Sequence, residues 1–125
     1  MGDNYWAGAY AGAQVALTER TVGIGAHAGQ VMSSVSAAVV CGHEAGHALR
    51  TTQDTIGLGS YALQSASNVL NSLAAGIGAM AEAGACEYAL ALGPEAARSA
   101  QRLHYTTAIG GSAERAAAGA GNCGF

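Results

Sequence analysis

The sequence predicts an all-α protein, and three observations predict it. Apolar and small residues recur at strict seven-residue spacing. Gly93-Pro94 reads as a helix stop followed by a helix start. β-Branched residues never alternate for long enough to mark a strand. The chain reads as a single helical domain over 1–125.

The elements follow in order. Residues 1–25 form an N-terminal arm, led by Tyr5, Trp6 and Tyr10, and a short helix over 11–22, with Gly23-Ile24-Gly25 as a hinge. The long helical region is 30–92. Its seam is Val35, Gly42, Leu49, Ile56, Leu63, Leu70 and Ile77, with Gly46 beside it. Six heptads in phase predict close packing against another helix in a coiled coil. Gly57-x-Gly59 and Gly76-x-Gly78 are its weak points, because glycine inside a helix costs about 0.5–1 kcal/mol relative to Ala. A helix over 94–108 follows, carrying Glu95, Arg98 and Arg102, and 109–125 holds a short helix capped by Ser112 and a tail.

Composition points to assembly. The 125 residues include 30 Ala and 19 Gly but one Phe and one Trp, so an isolated core would bury little apolar area. Charged residues are 10%, well below the ~25% of ordinary soluble domains. Segments 21–43 and 55–81 carry no Asp, Glu, Lys or Arg. A solvated surface needs more charge, so much of this one is expected to face other copies of the chain or close paralogues. A net charge of −3 with scattered Arg argues against a nucleic-acid partner. His27, Gln30 and three Ser dilute the uncharged 22–42 stretch, so no stable membrane insertion is expected. MGDNYWAGAY lacks the layout of a signal peptide. An intracellular location, cytoplasmic or inside an organelle, is expected. Cys41, Cys86 and Cys123 lack CxxC spacing and read as reduced thiols or an intermolecular bridge.

One segment carries an enzyme's letters. His43-Glu44-Ala45-Gly46-His47 within HEAGHAL resembles the HExxH motif of zinc metallopeptidases. Two His one helical turn apart can share a metal while the Glu polarises its water. The resemblance implies a zinc cofactor, His43 and His47 as ligands, Glu44 as general base, and Glu82 or Glu87 as third ligand. On the heptad frame these residues fall on the polar face beside Arg50 and Asp54, so neither catalysis nor a metal is favoured. His27, His43, His47 and His104 are the groups that titrate between about pH 5 and 8, and so the pH-sensing candidates. The GxG and GLGS segments lack the GK[ST] of a phosphate loop.

A second resemblance concerns assembly. Gly25, Met32, Ser33-Ser34-Val35, Ala38 and Gln53 are placed in a way that resembles the R-body and ejectisome ribbon-forming proteins, although the Gln-Gln run and early Pro of that family are missing. It implies a helical polymer, a filament or coiled ribbon that responds to pH, without catalysis. The expected function is a structural self-assembling subunit. The alternatives are a small HExxH zinc metallopeptidase and a secreted helical-hairpin partner signalled by YWAG.

Overall fold

The computed structural model describes residues 3–102, 104–113 and 123–124, and no helix occurs among them. The strands are β1 Tyr5–Ala7, β2 Gln14–Glu19, β3 Val22–Ile24, β4 Val31–Cys41, β5 Arg50–Leu58 and β6 Ser67–Leu70. They continue with β7 Leu73–Ala75, β8 Gly84–Glu87, β9 Leu90–Leu92, β10 Thr107–Ile109 and β11 Cys123–Gly124. All pairings are parallel. Tyr5 pairs with Val22, Val22 with Val39, Val39 with Ile56, Ile56 with Leu73, Leu73 with Leu90 and Leu90 with Thr107, a step of 17 each time. The last step, Thr107 to Cys123, is 16. The chain is a parallel β-solenoid that completes one coil with each of these steps. The all-α class, the helices over 11–22, 30–92 and 94–108 and the coiled coil are corrected accordingly. The short helix expected after Ser112 falls, beyond Ala113, outside the described residues.

Each coil has two strand segments and a loop. One stack is β1-β3-β4-β5-β7-β9-β10-β11; β2, β6 and β8 form the other with the first halves of β4 and β5. The loop opens on a glycine that returns once per coil: Gly8, Gly25, Gly42, Gly59, Gly76, Gly93 and Gly110, all at φ between 117° and 134°. That region excludes L side chains. A Cβ built on Gly42 would lie 2.5 Å from the Gly59 carbonyl oxygen, so the coils stack here backbone on backbone. Three positions further on, every coil has an alanine. Ala28, Ala45, Ala62, Ala79 and Ala96 are fully buried.

The loop explains why HEAGH is not a helix. Ala45 N–H donates to Gly42 O and His47 N–H to Glu44 O, both at 3.2 Å, closing two successive turns. The third residue of each is left-handed, Glu44 at φ 57° and Gly46 at φ 60°. Type II turns place φ > 0 there, and no α-helix contains it. The remaining loop amides bond along the solenoid, as when Glu44 N–H donates to Ala26 O at 2.9 Å.

The false helical signal has a geometric cause. Around a coil the inward positions fall every third residue: Gly46, Leu49, Thr52, Thr55, then Leu63, Ala66, Val69, Ser72, then Met80, Ala83, Cys86, Ala89, all buried. Left-handed corner residues such as Thr51, Asp54, Asn68 and Asn71 turn the chain between them. A spacing near three mimics a helix face in sequence. The seven-residue seam is also corrected, because its members occupy different places around the coil. Val35, Gly46, Leu49 and Leu63 are inside, Gly42 is in the glycine ladder, Leu70 is half-buried, and Ile56 and Ile77 are exposed.

In four successive coils a large side chain at one of two inward positions three residues apart is matched by a small one at the other. Gly29 and Gly46 leave room for Met32 and Leu49, whereas Leu63 and Met80 face Ala66 and Ala83. A Cβ on Gly46 would meet Leu49 Cδ1 at 3.0 Å. Interiors of constant density demand such compensation. Trp6 is packed against the core at the first coil, over Gly12, Gly23 and Gly29, so YWAGAY is part of the solenoid and not a separate arm. Small residues also carry the buried polar bonds: Ser72 Oγ donates to Leu70 O at 2.8 Å and accepts from Ala89 N–H at 3.1 Å. Thr52 Oγ1 is buried without a hydrogen-bond partner among the described residues, while Val35 and Val69 hold its position in the adjacent coils. Thr52→Val is therefore expected to stabilise the fold by about 1 kcal/mol, read as a higher urea midpoint; an unchanged or lower midpoint contradicts it.

Candidate functional site

The outward positions of the first stack form one continuous surface. The strand triplets 5–7, 22–24, 39–41, 56–58, 73–75, 90–92 and 107–109 point their middle residue inward. They point the flanking two outward. One outward row runs from Tyr5 through Val22, Val39, Ile56, Leu73 and Leu90 to Thr107. The other runs from Ala7 through Ile24, Cys41, Leu58, Ala75 and Leu92 to Ile109. Neither row contains a charged residue. Ile24, Ile56, Leu58 and Ile109 are 38–45% exposed. With coils about 4.8 Å apart and rows about 6.7 Å apart, the strip is ~29 Å long. Contiguous apolar surface of this kind is where proteins make contact with partners.

The strip is bordered by two corners. Just before it stand Arg20, Ala37, Asp54, Asn71, Tyr88 and Tyr105; just after the glycine ladder stand Ala26, His43, Ser60, Ile77, Pro94 and Gly111. Tyr88 and Tyr105 stack with centroids 5.0 Å apart and planes 3° apart, as identical neighbours on successive coils do. Charged groups thus edge the strip without entering it.

Of the seam residues expected from sequence, Ile56 alone lies on the strip. The others that build it went unread, although a signal exists: VGIG, VVCG, IGLG, LAAG, LALG and TAIG each precede a loop, at equal intervals along the chain. Comparison with protein families, with curated proteins and with solved structures gives no match to this chain.

The HEAGH residues belong to a ridge on the loop side. The Tyr10 ring stacks on His27 at 5.1 Å, His27 meets His43 edge-on at 6.0 Å, and His43 meets Tyr61 edge-on at 5.7 Å. His27 Nδ1 and His47 Nε2 both contact Gln30 Oε1, at 2.8 and 2.9 Å, so with that oxygen as acceptor both ring nitrogens carry the proton. His43 Nε2 lies 4.0 Å from Glu44 Oε2, whose carboxylate accepts a long 3.5 Å bond from Gln64. The zincin geometry is absent from this arrangement, since it needs a helix and His43, Glu44 and His47 sit in consecutive turns. The proposed third ligands are engaged elsewhere: Glu82 with Arg98 at 3.5 Å and Glu87 with His104 at 3.1 Å. Among the described residues no three His, Cys, Asp or Glu side chains are grouped to hold a metal. His104 is also separated from the other three histidines, on the far strand stack.

The cysteines divide in the same way. Cys41 is half-buried in the strip, and Cys86 is inside the coil with its thiol directed at the Gly84 and Ala100 carbonyls. The side chain of Cys123 lies outside the described residues. No helix among the described residues is long and apolar enough to cross a membrane.

Proposed function

We propose that this protein is a structural, self-assembling subunit, a β-solenoid rod that forms homo-oligomers through its apolar strip. One observation carries the reading: two outward rows of apolar and small side chains run along seven coils without a charge. The rod itself suits a structural role, because strand and loop hydrogen bonds alike run from coil to coil along its axis. The helices implied by the resemblance to ribbon-forming proteins do not occur among the described residues, but self-association does not depend on them. Low charge and scarce large apolar residues fit the same reading. Ala and Gly pack a narrow coil around Met32, Leu49, Leu63 and Met80, while Ile24, Ile56, Leu58 and Ile109 lie on a surface that other copies can cover.

The measurement is the molar mass of the purified protein by light scattering and sedimentation velocity. A homo-oligomer at micromolar concentration, unchanged by EDTA, is expected. A folded monomer at tens of micromolar overturns the proposal.

A further inference from the structure

We infer that the partner seated on the strip is a second copy of this chain, lying parallel and level with the first, the copies being related by rotation about an axis along the solenoid. The inference rests on the self-assembly reading and adds the geometry of the contact.

Side chains on the strip repeat with the coil spacing, about 4.8 Å. A partner interdigitates along the whole length only if its own side chains repeat with that spacing. A second copy presents the same two rows at the same interval. Nothing on the strip opposes self-contact, because it carries no charge.

The corners that border the strip fix the orientation. Rotation about an axis along the solenoid brings the corner before the strip on one copy against the corner after the strip on its neighbour, coil by coil. Arg20 then faces Ala26, and Ala37 faces His43. Asp54 faces Ser60, Tyr88 faces Pro94, and Tyr105 faces Gly111. In each pair a larger side chain meets a smaller one, and no like charges meet. Asn71 with Ile77 is the one pair of similar sizes. The larger residue stands after the strip at His43, so a shift by one coil sets Arg20 against His43 and leaves Ala37 opposite Ser60.

The antiparallel alternative fails this comparison. With full overlap it pivots on the coil of Ile56, setting Asp54 against Asp54 and Arg20 against Tyr88. On the opposite border it sets Ala26 against Pro94, which leaves the edge open. Crowding on one border and gaps on the other tilt the two strips apart.

Cysteine cross-linking tests both parts. In a background with Cys41 and Cys123 replaced by Ser, the double variant Ala37→Cys with His43→Cys is oxidised with copper-phenanthroline. Neither position is buried and they border the strip on opposite sides, so a bond between them joins neighbouring copies. Covalent oligomers are expected, their size giving the number of copies around the axis. Asp54→Cys alone is expected to remain uncrosslinked. Efficient cross-linking of Asp54→Cys, or failure of the double variant while light scattering still shows an oligomer, overturns the parallel, level arrangement and leaves self-assembly standing. A monomer before oxidation, with an unaltered circular dichroism spectrum and for the wild type as well, overturns the underlying reading.

Discussion

Gly42→Ala is expected to cost more than about 3 kcal/mol and to abolish folding at ordinary temperature, whereas Gly78→Ala costs about 1 kcal/mol. The two glycines lie in neighbouring parts of the same type of loop, but their surroundings differ. Gly42 has φ 134°, and an added methyl would lie 2.5 Å from the carbonyl oxygen of Gly59 in the next coil. The neighbour is backbone, held by its own hydrogen bond from Gly59 N–H to Cys41 O at 2.8 Å, and cannot give way. Strain of the dihedral and separation of two coils therefore add. Gly78 has φ 70°, a left-handed value that other residues adopt in this structure, and its nearest neighbour to a Cβ is the Glu95 side chain at 3.7 Å. Only the left-handed penalty remains there. Urea unfolding of the two variants separates the cases; similar midpoints would contradict the stacked-glycine account.

Ile56→Glu with Leu58→Glu is expected to dissociate the assembly at least about 100-fold, some 2.7 kcal/mol, while leaving the fold in place. Both side chains are about 40% exposed in the single chain, so charges there remain solvated when the rod stands alone. Covered by another copy, they become unpaired buried charges, which cost several kcal/mol each. Leu17→Ser is the control. Leu17 is 74% exposed but lies on the other strand stack, away from the strip. Sedimentation should show monomer for the double variant and wild-type mass for the control. A double variant that keeps its mass refutes the strip as the interface.

The HEAGH segment shows how a motif can be legible in letters and absent in geometry. The sequence places two His and a Glu at zincin spacing, but the spacing has metal-binding meaning only on a helix. Here Gly42 opens a loop whose form is imposed by the coils on either side, and Glu44 and Gly46 take left-handed values that end any helix. His47 is turned toward Gln30, one coil back. The same burial at every third residue that placed Leu49, Leu63 and Met80 inside the coil supplied the apparent helical period.

Much was readable from the letters alone. Low charge, abundant Ala and Gly and few large apolar residues already indicate a chain with a narrow interior, and the regular return of G-x-x-A, once per coil, is written in the sequence. Composition and repeat are local properties, fixed by which residues the chain has and how often they return. Whether a period near three winds into a helix or around a coil is decided only by tertiary structure. Short strands such as Val22–Ile24 and Ser67–Leu70 have no stability alone; they form because each amide finds its acceptor one coil away. That long-range pairing selected left-handed corners over helical turns. It gathered Val22, Val39, Ile56, Leu73 and Leu90 into one outward row, which spacing along the chain does not reveal.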